Sequence, residues 1–315
     1  MEPVPRVIAS VPMGTRRSSV EPYVQPLRLS DPNRIRGYVL TGRLGRGGEA
    51  VVYRGQSRRT GPVAVKVLRT GGASAGRCEH EFELAGQVDD HFVMPPIEAG
   101  RSGAGPYLVS TYRPDYRSLA GYAPRSVHQL WRLAYASALA IAATHACGVI
   151  HCDIKPANVL AHRGEVRLID FGIARRAADQ PPASDLVHCS RGWSAPEQLF
   201  AAPLTPAVDV FGWGCLIGYL AAGVTPFASA TFEEWALRVR SADADLSGLP
   251  DGLTSLVRLS LRRDPIRRPT AAYLAAACRP LVRGADDSRP ADDHRSGDRP
   301  RRAGGPHRAG ALLAA

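Results

Sequence analysis

The sequence predicts an α+β protein of two lobes, a small β-rich one followed by a larger helical one. Three observations carry this. Between Tyr38 and Val109, short apolar runs alternate with glycine-containing turns, as antiparallel strands do. From Ser126 onward the apolar residues recur at helical spacing, in segments bounded by caps and breakers. Strands come first and helices after, so the two kinds of element are segregated rather than interleaved.

In chain order, Tyr38-Val39-Leu40 to Leu44 reads as a strand and Gly45-Arg46-Gly47-Gly48 as a turn. Val51-Val52-Tyr53 is a second strand and Arg58-Arg59-Thr60-Gly61 a second turn. Val63 to Leu68 is a third strand. A helix is expected from about Arg77 to Val88, where Glu81, Leu84, Ala85 and Val88 share one face. Two short strands follow, around Ile97 and at Tyr107-Leu108-Val109. The lobe boundary falls near Thr111 to Asp115. Ser126 is placed to cap a helix from Val127 to Ala146, with Gly148 as its stop. Further helices are expected over 209–222, 232–239, 253–261 and 270–278, the last capped by Thr270.

The expected domain spans 37–281, with lobes 37–111 and 112–281. Residues 1–36 are rich in Pro, Arg and Ser and read as a flexible extension. Their apolar pairs, Val7-Ile8 and Tyr23-Val24, keep an ordered strap as the alternative. Residues 282–315 are rich in Arg, Asp, Pro and Gly and read as a disordered tail.

Lys and Arg number 40 against 29 Asp and Glu, a net charge of +11. No run of adjacent Lys or Arg exceeds two, and no aromatic-interleaved basic motif occurs. The excess therefore reads as solvated surface, and no nucleic-acid partner is expected. The six cysteines are scattered without metal-ligand spacing. Free thiols in the cytoplasm are expected. No stretch of about 18 apolar residues runs unbroken, so no membrane span is expected.

The chemistry-bearing residues cluster in two stretches. His151-Cys152-Asp153-Ile154-Lys155-Pro156-Ala157-Asn158 follows the apolar Gly148-Val149-Ile150. Asp170-Phe171-Gly172 follows Val166 to Ile169. Carboxylate and amide oxygens are ligands for a hard cation. A base, a cation and a metal clamp are what phosphoryl transfer requires.

On these residues the chain resembles the protein kinases, specifically the bacterial, eukaryotic-like (Hanks-type) serine/threonine kinases. The resemblance runs from about Tyr38 to Pro280. It implies a two-lobed protein-kinase-like fold: a small N-terminal antiparallel β-sheet lobe with one helix, and a larger helical C-terminal lobe. It also implies ATP and Mg²⁺ or Mn²⁺ as cofactors, with protein Ser/Thr hydroxyls as acceptors.

By this resemblance Asp153 accepts the substrate proton and Lys155 neutralises the moving phosphate. Asn158 and Asp170 would hold the metal. Leu44, Gly45, Arg46, Gly47, Gly48 and Val52 correspond to the loop over the phosphates, with Ala50 replacing the family's third glycine. Val63-Ala64-Val65-Lys66 matches the strand lysine, with Ala64 beside the nucleotide. Glu79, Glu81 and Glu83 are all candidates for the lysine's partner. Helical phase favours Glu81, with Glu83 as the fallback. Ser110, Thr111 and Tyr112 correspond to the adenine-binding hinge, Ser110 as a small gatekeeper, and Leu160 also lines the nucleotide site.

The resemblance assigns supporting roles as well. His151 would pack the loop against Phe171, and Asp209 would anchor it. Arg268 would pair with Glu197 of Ala195-Pro196-Glu197-Gln198. Ser190 stands where the family has Thr and would bond near Asp153 and Lys155. Cys152 replaces the common Arg, and between Ile173 and Cys189 Ser184 is the only hydroxyl residue. These two features imply activity without phosphorylation of that segment. The competing readings are a nucleotide-binding pseudokinase and a small-molecule kinase of aminoglycoside or choline type. The four residues Lys66, Asp153, Asn158 and Asp170 argue against the first. The Ala195-Pro196-Glu197 segment argues against the second.

Overall fold

The computed structural model describes residues 6–9, 24–69, 76–179, 186–200 and 202–286. The first element is a short strand, β1, Arg6–Ala9. A six-stranded antiparallel sheet follows, built from β2 (Arg34–Ile35), β3 (Tyr38–Arg46), β4 (Ala50–Ser57), β5 (Gly61–Leu68), β6 (Pro96–Ser102) and β7 (Gly105–Thr111). Its spatial order is β2-β3-β4-β5-β7-β6. Helix α1, Arg77–Ala85, lies between β5 and β6 in the chain.

Side-chain alternation gives the sheet two different faces. Val63, Val65 and Val67 are buried with Tyr38, Leu40, Tyr53, Tyr107 and Val109 in one cluster. On the other face, Val52 stands opposite Lys66, and Ala64 opposite Ser110. These four are half-buried.

The expected flexible extension over 1–36 is corrected for residues 24–36. Gln25 and Arg43 exchange backbone hydrogen bonds of 3.0 and 2.7 Å. The Asp31 carboxylate takes both forks of the Arg43 guanidinium and the Tyr53 hydroxyl. Ile35 is 2% exposed, and Leu27 packs on the sheet's core. Gly42 permits the close approach: a Cβ there would lie 2.4 Å from Val24 Cγ1 and 2.8 Å from the Gln25 carbonyl oxygen. The helix expected to reach Val88 stops earlier. Gly86 closes it, its N–H bonding the Phe82 and Leu84 carbonyls, although Val88 is still buried.

The second lobe begins with β8 (Arg117–Ser118) and α2 (Val127–Ala146). Ser126 caps α2 by accepting the Gln129 N–H. Then come β9 (Val149–Ile150), β10 (Val159–His162), β11 (Glu165–Leu168), β12 (Arg175–Arg176) and β13 (Leu186–Cys189). The remaining helices are α3 (Pro196–Leu199), α4 (Ala207–Ala222), α5 (Phe232–Ser241), α6 (Asp251–Ser260) and α7 (Ala271–Asp286). Thr231 and Glu234 form a capping box at α5, and Thr270 accepts the Tyr273 N–H at α7. Helix α7 runs past 281, where the tail was expected to begin; residues 287–315 lie outside the described residues, as does Ser184.

Helix α4 is apolar nearly all round, as a helix buried on every side must be. Trp213 sits at its centre, fully buried, and donates its indole N–H to the Ala134 carbonyl. One continuous core joins α2, α4, α6 and α7 to Leu84, Ala85 and Val88 from the first lobe. Apolar packing thus ties α1 to the lobe that carries Phe171.

Candidate active site

Strand β5 brings Lys66 to the inner face of the sheet, and α1 brings Glu81 to meet it. Lys66 Nζ lies 2.6 Å from Glu81 Oε2 and 2.6 Å from Asp170 Oδ1. Of the three candidate glutamates, Glu81 is the one that faces inward, 4% exposed. Glu83 is exposed and pairs with Arg176 at 3.4 Å. Glu79 is half-buried on a different face.

Three charges in one cluster shift each other. Burial opposes the Lys66 cation, but Asp170 and Glu81 outweigh it and raise the lysine above its usual value. Asp170 is only partly buried, its side chain 42% exposed; that burial would raise its carboxyl, yet Lys66 holds it down at about 2. For Glu81 burial wins over Lys66, helped by the neighbouring Asp170 charge, and its carboxyl is raised. Gly172 closes this cluster. A Cβ there would lie 3.2 Å from Asp170 Oδ1 and 3.3 Å from both Glu81 Oε2 and Lys66 Nζ.

The 151–158 loop is fixed from beneath by Asp209 at the start of α4. Its two carboxylate oxygens accept the N–H groups of His151 and Cys152, both at 2.8 Å. His145 at the end of α2 lies 2.8 Å from the same carboxylate. The His151 ring packs against Phe171, the ring centres 4.6 Å apart and the planes tilted by 54°. Its Nε2 reaches the Ile169 carbonyl, while Nδ1 accepts the Asp153 N–H. Those two bonds require the Nε2–H tautomer. Two residues in the assembly have positive φ, Cys152 at 64° and Asp170 at 66°. Such backbone is uncommon outside glycine and is held here by its surroundings.

Asp153 is the hub of the loop. Its Oδ1 accepts the Ser190 hydroxyl at 2.8 Å. Its Oδ2 lies 2.7 Å from Lys155 Nζ and accepts the Asn158 amide at 2.8 Å. Lys155 also donates to Ser190 Oγ at 2.9 Å. The Asn158 amide nitrogen is therefore occupied, donating to both the backbone carbonyl and the carboxylate of Asp153. Asn158 and Asp170 are drawn together by the Ile169 N–H, which bonds the Asn158 carbonyl at 3.0 Å.

That donor set fits a hard divalent cation. Asp170 presents a carboxylate with its side chain 42% exposed, and Asn158 carries an amide oxygen, its nitrogen being held by Asp153. Two protein oxygens suit an ion that keeps water and phosphate as its other ligands. Among the described residues no group of three His, Cys, Asp or Glu could bind a metal alone.

Of the remaining expected positions, Val52 stands across the sheet from Lys66, and Ala64 across from Ser110. Gly45, Arg46, Gly47 and Gly48 are exposed where β3 turns into β4, and the Gly47 N–H bonds the Ala50 carbonyl at 2.9 Å. Leu44, Val52, Ala64, Ser110 and Leu160 are half-buried. Thr111 and Tyr112 leave β7 half-buried, their N–H groups turned to Pro95 and Pro62.

Below the loop, Glu197 and Arg268 form a two-pronged ion pair at 2.5 and 2.8 Å, almost wholly buried. The guanidinium also donates to the Arg262, Ala207 and Arg263 carbonyls and lies 5.0 Å from the Phe211 ring centre.

Two supports were not legible in the sequence. Gln198 donates to the Cys152 carbonyl at 2.8 Å and accepts the Ala195 N–H at 2.9 Å, clamping α3 to the loop. His145 had only its place in a last helical turn to announce it. Burial pushes the Cys152 thiol well up, and Arg175 beside it counters only in part.

The family profile described as "Protein kinase domain" matches residues 38–277. A protein described as "Probable serine/threonine-protein kinase PkwA" of Thermomonospora curvata is 32% identical over 80% of this chain and 35% of its own length. Serine/threonine-protein kinase AfsK of Streptomyces coelicolor is 31% identical over 84% of this chain and 34% of its own. Serine/threonine-protein kinase PkaA of the same organism is 34% identical over 78% and 50%. The chain thus spans about a third to a half of the length of these relatives.

Proposed function

This chain belongs to the protein kinase family, and from that premise we propose that it is an ATP-dependent serine/threonine protein kinase. The observation that carries the reading is Lys66 held between Glu81 and Asp170, each at 2.6 Å. That contact joins a strand, a helix and the Asp-Phe-Gly loop into one charge cluster. A lysine committed to two carboxylates is fixed in place and remains cationic, as an anchor for phosphate oxygens must be.

In this reading, the acceptor hydroxyl of a Ser or Thr donates to Asp153 alongside Ser190. Asp153 takes the proton as the hydroxyl oxygen bonds the γ-phosphorus. The bond from that phosphorus to the bridging oxygen breaks and ADP leaves. Lys155, 2.7 Å from Asp153, sits where it can neutralise the equatorial oxygens. Lys66 holds the α- and β-phosphates. Asn158 and Asp170 would hold Mg²⁺, or Mn²⁺, which would supply positive charge to the phosphate oxygens. The exposed 45–48 turn supplies backbone N–H groups over the phosphates. Val52, Ala64, Leu160 and the Ser110–Tyr112 segment surround the base.

We assign catalysis to residues 37–281, with 24–36 as part of the small lobe. The substrates are proteins carrying Ser or Thr. No helix among the described residues is long and apolar enough to cross a membrane. The six cysteines are free, which supports the cytoplasm as the compartment. Incubation with labelled ATP, Mg²⁺ and a generic basic protein tests the function. Label on protein Ser or Thr, lost in Asp153→Ala, is expected. No label on any acceptor, with ATP still bound, would contradict it.

A further inference from the structure

Ser190, bonded to Asp153 and Lys155, is the first residue after β13. That strand therefore runs straight up to the proposed base. In the described structure its one sheet partner is β1. The pair is parallel, with Arg6 opposite Leu186, Val7 opposite Val187, Ile8 opposite His188 and Ala9 opposite Cys189. The N-terminal segment is thus laid along the chain that leads to Asp153. Its end at Ala9 is level with the residue before Ser190.

Neighbouring strands lie about 4.8 Å apart, and a strand climbs about 3.3 Å per residue. Ala9 is therefore within a residue or two of the level of Asp153. Any polypeptide that offers a hydroxyl to Asp153 must pass through this neighbourhood. A strand edge is a template for extended backbone of any sequence.

We propose that the edge of β13 is a strand-addition site for extended polypeptide, and that this chain's own β1 occupies it as a tethered competitor of protein substrates. The proposal rests on the kinase reading of Asp153. The occupant is the chain's own segment because that segment is the one seated there. A two-stranded ladder of four residues is marginal by itself. The tether compensates, since a linked segment is present at an effective concentration of roughly millimolar. Such a contact exchanges readily. It raises the KM for protein substrate and leaves kcat and the KM for ATP alone.

The test compares the full chain with Val7→Pro and Ile8→Pro. Proline cannot donate to a ladder. N–H groups alternate sides along a strand, so one of the two positions bonds β13. The first readout is amide hydrogen exchange at 186–189, and the second is initial rate against the concentration of a Ser/Thr protein substrate. In at least one variant, exchange at 186–189 speeds up and the KM for protein substrate falls several-fold, with the KM for ATP unchanged. A synthetic peptide of residues 1–12 raises that KM again when added back. Unchanged exchange and unchanged KM in both variants would overturn the proposal, as would faster exchange with the same KM. A full chain that phosphorylates nothing would instead contradict the kinase reading, and the exchange readout would still decide whether the strand contact exists.

Discussion

Lys66 and Asp170 are held together at 2.6 Å although they belong to different lobes. Glu81 completes the contact from α1. The contact therefore ties the two lobes to each other through one charge cluster. Lys66→Met and Glu81→Ala are expected to lower the initial rate by about a hundredfold, the scale of losing a preorganised charge. Glu83→Ala removes only an exposed partner of Arg176 and leaves the rate within about twofold. Steady-state rates of the purified variants check this, and a large loss in Glu83→Ala would move the lysine's partner to that residue.

Removing Arg268 leaves Glu197 charged and almost wholly buried. The expected cost is about 3–5 kcal/mol. Urea unfolding of Arg268→Ala should show a midpoint shifted down with little change in slope. A midpoint equal to wild type would mean that the pair contributes nothing.

Residues 24–36 are expected to stabilise the small lobe through Asp31 and Arg43. The Arg43 guanidinium holds the Asp31 carboxyl at about 2, below its usual 3.8. A depressed carboxylate stabilises the fold above the unfolded value and stops doing so as pH falls through the folded one. Thermal unfolding should show wild type above Asp31→Asn at neutral pH, with the gap closing between about pH 4 and pH 2. Gly42→Ala should lower stability as well, since its Cβ would collide with Val24 and Gln25. A gap that stays constant with pH would remove Asp31 from the account.

Activity is expected not to depend on phosphorylation of the activation segment. Ser190, Lys155 and Asp153 are already bonded, and Cys152 brings no charge that a phosphate must balance. Phosphatase-treated wild type and Ser184→Ala should match untreated enzyme within about twofold in initial rate. A large loss in both, restored by rephosphorylation at Ser184, would show that the switch operates.

The residues of the candidate site that lie close in the sequence were readable because local order carries them. Asp153, Lys155 and Asn158 sit within six positions, and Asp170 comes two residues after β11. Glu81 followed from helical phase, which puts it one turn above Leu84 and Ala85. What escaped is non-local. Val24, Leu27 and Ile35 have no common period, so beyond the apolar pair Tyr23-Val24 nothing in 24–36 announces packing. Their anchor is an ion pair with Arg43, on a strand whose pattern is complete without it. The pairing of β1 with β13 joins four residues at one end of the chain to four beyond the Asp-Phe-Gly motif, and no spacing rule reaches so far. Gln198 and His145 support the loop through single hydrogen bonds whose partners only the fold brings near.

The central claim is that Asp153 accepts the proton during phosphoryl transfer to protein Ser or Thr. The most direct measurement is single-turnover transfer from labelled ATP by wild type and Asp153→Ala, with ATP affinity measured on both. A general base is worth roughly 10²–10⁴-fold, so the rate should fall by that much while ATP affinity stays within a few-fold. Equal rates in the two proteins would contradict the account.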